Sequence, residues 1–259
     1  MDAVHYYVDQ KNAHHGRAII QGFKARARNS LNGRLEPGAL HLIGGLQFGS
    51  LELMKQVLAA GEPYIFFDRA YFGGGRGTDR LRAVPSAYQK HWQERWPDDR
   101  YSALSTQHPA LALRPWREAG SHVLVVPPGP AICKLFGLDA WLASSLARLK
   151  ACFDGPVRVS IKGDPVPLAE RLAGSWAVVT YTSNVAVEAV LAGVPCFVDA
   201  KSAAAPVSLN LDQIEDRIER PYLADNRLAW AASLAYGQFT LDEISSGYAA
   251  EIVLPHFRG

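Results

Sequence analysis

The 259-residue sequence has few cysteines and no long apolar run, and both absences limit what the protein can be. Its three cysteines, Cys133, Cys152 and Cys196, are odd in number and form no CxxC pair, which argues against a disulfide framework. No run of about 18 apolar residues occurs, so no membrane span is predicted. The first ten residues lack a basic segment followed by an apolar stretch and do not resemble a secretory signal. We therefore expect a cytoplasmic protein.

Common nucleotide and metal signatures are also absent. The glycine run at 73–75 lacks the GxxxxGK(S/T) spacing of a Walker loop, and no GxGxxG follows the first apolar run, which disfavours a plain Rossmann dehydrogenase. His14 and His15 are adjacent but have no partners at a recognisable metal-ligand spacing. The sequence thus predicts no metal site and no tightly bound cofactor.

An excess of charge of one sign is missing too, because the formal net charge is only +2. So small a net charge does not indicate a nucleic-acid-binding protein. The positive residues are nevertheless uneven along the chain. One stretch without acids holds Arg17, Lys24, Arg26, Arg28 and Arg34, and a second holds Arg69, Arg76, Arg80 and Arg82, diluted by Asp79. Each stretch is consistent with a solvated basic face or with contact to an anionic partner.

What the sequence does contain is two series of short apolar runs, most of them rich in β-branched or aromatic residues. The first series is 3–8, 39–44 and 64–67, and the second is 122–126, 157–161, 177–181 and 196–198. Helical patterns at 138–152, 167–173 and 183–192 separate the runs of the second series. Buried strands that alternate with helices predict an α/β fold with parallel sheets joined by right-handed crossovers.

An irregular, proline-containing stretch at 96–120 lies between the two series and predicts an inter-lobe connection. We therefore expect two Rossmann-like lobes, a reduced one at 1–115 and a second at 116–259. Helical patterns at 226–236 and 241–250 predict closing helices. Thr240 followed by Glu243 fits the capping box that begins such a helix.

The segment 177–198, AVVTYTSNVAVEAVLAGVPCFV, carries the most chemical information. It predicts a strand, the polar turn Thr182-Ser183-Asn184, a helix, a Gly-Pro turn and another strand. In open α/β sheets ligands bind at the carboxyl ends of the strands, and helix N-termini there attract phosphate. The turn therefore predicts a phosphate-binding site, although Ser183 acting only as a helix cap explains the same residues.

Glu188 and Lys162 are the charged candidates around this turn. Glu188 lies one helical turn after Asn184 in an otherwise apolar helix, so it is placed to accept hydrogen bonds from ribose hydroxyls. Lys162 follows the run at 157–161 and is expected at the same sheet edge, where its ammonium group would neutralise a diphosphate. The alternatives are a solvent-facing Glu188 and a solvated strand-end Lys162.

The string VVTYTSNVAVEAVLAGVPCFV resembles the donor-binding motif of GT-B glycosyltransferases and related sugar-nucleotide enzymes. In that motif a strand leads to a serine-rich turn and a helix of the form S-x-x-x-x-E-A-x-x-x-G-x-P. The matching residues here are Ser183, Glu188, Ala189, Gly193 and Pro195. The resemblance covers residues 121–200 best. It implies that the Ser183 turn contacts the diphosphate of a nucleotide sugar, that Glu188 contacts its ribose and that Lys162 contacts phosphate.

The resemblance makes a nucleotide sugar the expected co-substrate, with a uridine-linked sugar favoured. The candidate donor-binding residues are Gly44, Gly45, Lys162, Thr182, Ser183, Asn184 and Glu188. The glycine pair is included because it resembles the inter-lobe glycine turn at a donor cleft. The tail LAYGQFTLDEISSG at 234–247 also resembles the closing segment of glycosyltransferase-like proteins encoded by bacteriophages.

In GT-B enzymes the first lobe holds the acceptor and, in inverting members, a general base. Asp68 is the candidate base, because a carboxylate at the end of a strand is placed to take a proton from an acceptor hydroxyl. Pairing with Arg69, or capping of the following turn, is the alternative. The expected reaction is a direct, metal-independent displacement in which Lys162 and the helix end at Ser183 stabilise the departing nucleoside diphosphate.

Basic residues interleaved with aromatic ones indicate which class of acceptor the enzyme binds. The residues expected to grip a polyanion are Arg26, Arg28, Arg69 and Arg76, which lie near Phe23, Tyr71 and Phe72 in sequence. Together with the phage-like tail, they favour DNA with a hydroxymethylated pyrimidine that is exposed or flipped. A surface-glycan precursor and a small hydroxylated molecule are the other acceptors considered.

Two rival functions are compatible with the same fold. A sugar-nucleotide epimerase would convert the donor without an acceptor. A non-catalytic DNA-binding protein would bind nucleic acid and release no nucleoside diphosphate. The chain is short for a GT-B enzyme, which favours the second rival and also leaves open a helper subunit or a homodimer.

Overall fold

The computed structural model of the chain describes residues 3–8, 13–29, 35–47, 49–72, 80–89 and 95–257. The chain forms two compact units, the first made of Met1–Lys90 with Gly237–Gly259 and the second of His91–Tyr236. Each unit contains one mostly or wholly parallel β-sheet together with helices. The predicted α/β class with two parallel sheets is therefore confirmed.

Sheet A, in the first unit, has six strands among the described residues. They are β1 (Val4–Val8), β2 (Arg26–Asn29), β3 (Leu40–Gly44), β4 (Tyr64–Arg69), β5 (Arg80–Pro85) and β11 (Gln238–Thr240). Their order is β11-β5-β4-β3-β1-β2. Strands β1 to β4 are parallel, whereas β5 runs antiparallel to both β4 and β11.

The described helices of the first unit are α1 (Ala13–Gly22), α2 (Ser50–Ala60), α10 (Leu241–Ser245) and α11 (Tyr248–Val253). The predicted capping box at the start of α10 is confirmed: Glu243 N–H donates to Thr240 Oγ1 at 3.1 Å, and Thr240 N–H donates to Glu243 Oε2 at 2.8 Å. The sequence pattern predicts one helix at 241–250. Gly247, with φ +95°, interrupts it, so two short helices form instead.

Sheet B, in the second unit, has five parallel strands in the order β10-β9-β8-β6-β7. They are β6 (His122–Val126), β7 (Val157–Val159), β8 (Ser175–Thr180), β9 (Cys196–Val198) and β10 (Leu209–Asn210). All four strands predicted in this half are present. Their apolar side chains explain this, because residues such as Val123, Val179 and Phe197 are fully buried.

The described helices of the second unit are α3 (Asp99–Gln107), α4 (Pro130–Phe136), α5 (Trp141–Cys152), α6 (Leu168–Leu172), α7 (Val185–Leu191), α8 (Ile214–Arg217) and α9 (Arg227–Tyr236). Short 3-10 turns occur at Pro109–Leu111, Ala205–Val207 and Leu211–Gln213. One face of sheet B packs against Leu149 of α5 and against Ile214 and Ile218 at α8, which closes the core on that side.

The irregular connection predicted at 96–120 is wrong for residues 99–107, which form α3. Of its side chains only Tyr101 and Leu104 are buried, so α3 has no apolar periodicity that the sequence could show. The units also divide elsewhere than at 115/116. Residues 95–115 belong to the second unit, and β11, α10 and α11 belong to the first, because β11 pairs with β5 of sheet A.

Candidate functional site

All strands of sheet B end at the same edge because they are parallel. The segments that follow them are Pro127–Gly129 after β6, Ser160–Gly163 after β7, Tyr181–Asn184 after β8 and Asp199–Ser202 after β9. We call this the carboxyl edge of sheet B. Ligands of open parallel sheets bind at this edge, so it is the candidate site. The structure brings Lys162, Thr182, Ser183 and Asn184 to it, as the sequence predicts.

The turn between β8 and α7 is tightly fixed. Thr180 Oγ1 at the end of β8 donates to Val126 O at 2.6 Å, which ties β8 to β6. Ser183 Oγ accepts a hydrogen bond from Val185 N–H at 3.2 Å, so Ser183 does satisfy one N–H at the start of the helix. Asn184 occupies the N-cap position without a side-chain cap bond. Thr182 is buried, whereas Ser183 and Asn184 are half-buried.

Glu188 is the one exposed residue of α7, which agrees with the solvent-facing position that the sequence leaves as the alternative. Its neighbours Val187, Ala189 and Val190 are fully buried. Although the side chain reaches solvent, the surrounding protein desolvates its carboxyl group and raises the pKa of Glu188, while the charge of Arg171 acts in the opposite direction. A carboxylate on this helix is thus held next to the Ser183 turn, one helical turn away.

Lys162 follows β7 and is exposed. It forms no ion pair with any carboxylate of the described residues, so its ammonium group is available to a ligand. Strand β6 separates β7 from β8, and neighbouring strands lie about 4.8 Å apart, so the two strand ends are about 10 Å apart. A long lysine side chain spans much of that distance.

Arg171 is a second cation at this edge, and no motif in the sequence points to it. Its side chain is 19% exposed, and its Nη1 donates to Ser160 Oγ and lies 4.0 Å from Asp164 Oδ2. Arg171 belongs to α6, in the middle of the sequence between two strands. The fold brings its guanidinium to the end of β7. Because Arg171 does not follow a strand in the sequence, a search for charged residues at strand ends does not find it.

Tyr181, Asp199 and Lys201 form a further polar group at the carboxyl edge. Lys201 Nζ lies 3.5 Å from Asp199 Oδ1, and Asp199 N–H donates to Tyr181 O at 3.0 Å. Burial raises the pKa of the Tyr181 hydroxyl, and Asp199 adds to this effect. The sequence does place Asp199 and Lys201 just after a strand, and that position could have identified them.

A cavity of about 330 Å³ opens beside Tyr181. Its walls include the rings of Tyr181 and Trp141, the Leu211 side chain, and Arg148, which forms a two-bond ion pair with Glu215.

Asp68 in the first unit has a different partner from the one the sequence suggested. Arg82 Nη2 lies 2.9 Å from Asp68 Oδ2, across the β4–β5 pair, while Arg69 contributes only its backbone N–H, at 2.8 Å from Oδ1. The Arg82 guanidinium is 2% exposed and lies over the rings of Tyr71 and Tyr88, at 5.2 and 5.5 Å. Burial alone lowers the pKa of Arg82, but Asp68 and the tyrosines outweigh it and raise the pKa.

Gly44 is the last residue of β3 and Gly45 follows it, both in the first unit, whereas the other candidate donor residues lie in the second. Gly45 has φ +64°, and its N–H donates to Phe67 O at 2.7 Å. A side chain at Gly44 would bring Cβ within 3.0 Å of the Tyr6 hydroxyl oxygen. Both glycines therefore have structural reasons for their identity.

The basic residues do not form one patch. Arg26 and Arg69 are exposed, whereas Arg28 donates to Glu36 Oε2 at 2.8 Å. In the strand register, Arg26 of β2 lies in the same row as Tyr64 of β4, three strands away. Arg69 is five residues further along β4, so the two exposed arginines are on the order of 20 Å apart. Arg82 was counted with the second basic stretch, but burial removes it from any surface. Arg76 lies outside the described residues.

Within the described ranges, no three His, Cys, Asp or Glu side chains are grouped so that they could hold a metal ion. No helix in those ranges combines the length and the apolar character needed to cross a membrane. All three cysteines are free thiols.

Comparison with known proteins gives fold relatives only. No protein-family model and no curated protein matches the chain. Among solved structures, Thermosulfurimonas dismutans KpsC, a beta Kdo 2,4 transferase, is 14% identical, with 92% of each chain covered and a TM-score of 0.54. The beta Kdo 2,7 transferase of the same organism's KpsC is 13% identical over 97% of this chain and 99% of that one, also at 0.54. The glycosyltransferase-like fold implied by the 177–198 motif is thereby confirmed.

Proposed function

We propose that the protein is a glycosyltransferase that binds a nucleotide sugar at the carboxyl edge of sheet B and transfers its sugar to an acceptor hydroxyl. The observation that carries this proposal is that the Ser183 turn, the exposed Glu188 and Lys162 converge at one edge. Lys162 forms no ion pair with a carboxylate in the described part of the chain. The likeness in fold to two Kdo transferases supports the same reaction class.

In the proposed donor complex, Lys162 and the Ser183–Asn184 turn contact the diphosphate, and Glu188 accepts hydrogen bonds from the ribose. Positive charge and N–H groups at this edge would stabilise the leaving nucleoside diphosphate, which is where charge develops. A uridine-linked sugar is our first choice of donor. A nucleotide-activated Kdo is the second, because the two similar structures are Kdo transferases.

Asp68 is the proposed general base in the first unit. Arg82 and the Arg69 N–H each engage one of its oxygens. A carboxylate has about four lone-pair positions, so two remain for an acceptor hydroxyl. In this proposal the ion pair orients the carboxylate, and the same atoms serve stability and proton transfer.

For the acceptor we propose DNA with a hydroxymethylated pyrimidine, contacted by the exposed Arg26 and Arg69. Binding that neutralises phosphates weakens steeply as salt is added. A salt titration of DNA binding therefore tests this part alone. A flat response would exclude DNA and leave surface glycans or small hydroxylated molecules as acceptors.

The donor proposal is tested by thermal unfolding against a panel of nucleotide sugars that includes uridine, guanosine and nucleotide-activated Kdo donors. A ligand at 100 times its dissociation constant adds about 2.7 kcal/mol of stability. We expect one donor to raise the melting temperature of the wild type and of Glu219→Ala, an exposed carboxylate of the same unit away from the edge. The shift should be lost in Glu188→Ala. No shift with any donor would instead favour a non-catalytic binding protein.

A further inference from the structure

Arg171 is anchored at both of its ends. Its backbone carbonyl accepts a hydrogen bond from Ser175 Oγ, at 3.2 Å, where β8 begins. Its side chain then runs toward the other end of the sheet and reaches Ser160, directly after β7. The residue thus connects the start of one strand with the carboxyl edge of sheet B, and the guanidinium cannot swing freely.

One side of the guanidinium is fixed by the protein. Nη1 donates to Ser160 Oγ, and Ser160 is itself 1% exposed and donates its N–H to Val125 O at 2.9 Å. Asp164 Oδ2 lies 4.0 Å from the same Nη1, while Asp164 Oδ1 accepts the N–H of Val166 at 3.0 Å. The Asp164 carboxylate therefore balances part of the charge from the Nη1 side only.

The opposite side of the guanidinium has no hydrogen-bond partner among the described residues, although the charge of Arg171 also acts on the Glu188 carboxylate. Arg171 Nε is buried without a hydrogen-bond partner, and Nη2 forms no hydrogen bond within the described part of the chain. A buried donor without an acceptor is rare in proteins and calls for an explanation. Nε is closed to solvent, so Nη2 is the guanidinium nitrogen that can meet an oxygen of a phosphate or carboxylate.

We propose that Arg171 is the principal phosphate-binding residue of the donor site, with Nη2 as the nitrogen that meets the ligand and Nη1 held in place by Ser160 and Asp164. This rests on the proposed function. Lys162, two residues after Ser160, is exposed and has a flexible side chain. It therefore contributes positive charge but does not fix the orientation of a bound phosphate. Arg171 is always charged and pre-oriented, and less freedom is lost when it binds.

The test measures the affinity of uridine, UDP and inorganic pyrophosphate by calorimetry for the wild type, Arg171→Met and Lys162→Met. The two variants each remove one positive charge from the same edge, so they are matched. We expect Arg171→Met to weaken the binding of UDP and of pyrophosphate by about tenfold or more, the value of one charge-assisted hydrogen bond, and to leave the affinity of uridine unchanged. Lys162→Met should weaken both anions less.

The outcomes separate this inference from the donor proposal. If Arg171→Met binds UDP as the wild type does, the inference is wrong and the donor proposal stands. If the wild type binds pyrophosphate in an Arg171-dependent way but binds neither UDP nor any nucleotide sugar of the donor panel, the inference holds and the donor proposal fails. Binding of neither pyrophosphate nor any of these nucleotides overturns both. Should Arg171→Met not fold, Arg171→Lys keeps the charge and lacks the fork, and wild-type UDP affinity in that variant would overturn the inference.

Discussion

Arg82 faces Asp68 directly across the β4–β5 strand pair, with its Nη2 2.9 Å from Asp68 Oδ2. The arginine is almost completely buried, while the aspartate is 33% exposed. A buried guanidinium needs a counter-charge, because its unpaired burial is costly. The pair therefore stabilises the first unit whatever Asp68 does in a reaction.

We predict that Asp68→Asn lowers the free energy of unfolding by roughly 1–3 kcal/mol, the cost of leaving a buried charge unpaired reduced for the partial exposure of Asp68. The measurement is urea unfolding of Asp68→Asn, Arg82→Met and the double variant. The double variant should recover part of the loss, because it leaves no unpaired charge.

Activity measurements on the same variants separate the two roles of Asp68. If Asp68 is the general base, Asp68→Asn loses turnover by orders of magnitude at a temperature where it is folded, and Arg82→Met loses much less. Equal turnover in the two variants would leave Asp68 with a structural role alone.

His122 lies between two serine hydroxyls at the start of β6, with Nδ1 3.1 Å from Ser121 Oγ and Nε2 3.1 Å from Ser175 Oγ. Burial lowers the pKa of His122, and the charges of Arg158 and Arg117 lower it further. Burial also lowers the pKa of His5 and of His41 in the first unit. All three are thus held in the neutral form.

The sign of the pH effect follows from proton binding. Between the lowered pKa in the folded state and the normal pKa near 6.5, the unfolded chain binds more protons, so stability falls as the pH is lowered through this window. Each histidine contributes at most about 1.4 kcal/mol per pH unit. We predict that, between pH 7.5 and 5.5, the free energy of unfolding measured in urea falls less for His122→Gln than for the wild type. The exposed His14→Gln is the control, and an unchanged slope in His122→Gln would contradict the prediction.

Much of the second unit could be predicted from the sequence because β6, β8 and β9 are short, apolar and buried. Strands β2 and β5 could not, since RARN and RLRAVP read as basic surface, and the burial of Arg82 depends on Asp68 of another strand. Arg171 could not be predicted for the same reason. Its contact with Ser160 joins a helix to a strand end, and local sequence periodicity does not show which distant residue a side chain reaches.

Gly193, part of the motif that suggested the donor site, has a packing role. Its φ is +78°, and a Cβ there would lie 2.0 Å from Pro115 O. We predict that Gly193→Ala lowers the free energy of unfolding by about 3 kcal/mol, from backbone strain and overlap together. Gly129→Ala is the matched control, because nothing lies within 4 Å of its added Cβ. Equal stability of the two variants would contradict the prediction and show that the backbone at Pro115 can shift away from the added methyl group at little cost in free energy.

Glu188 provides the sharpest check on how the donor is held. If its carboxylate accepts hydrogen bonds from ribose, UDP should bind better than 2′-deoxy-UDP, and Glu188→Gln should reduce that preference. Because burial raises the pKa of Glu188, the carboxylate becomes protonated at a higher pH than an ordinary glutamate does. Protonation removes an acceptor, so the ribose preference of the wild type should decline as the pH falls through that pKa, while the preference of Glu188→Gln should stay flat. Calorimetric titrations of both nucleotides from pH 7.5 to 5 measure this. A preference that is the same in the two proteins at every pH would mean that ribose is bound elsewhere, and that the desolvation of Glu188 reflects its place on a packed helix rather than a ligand contact.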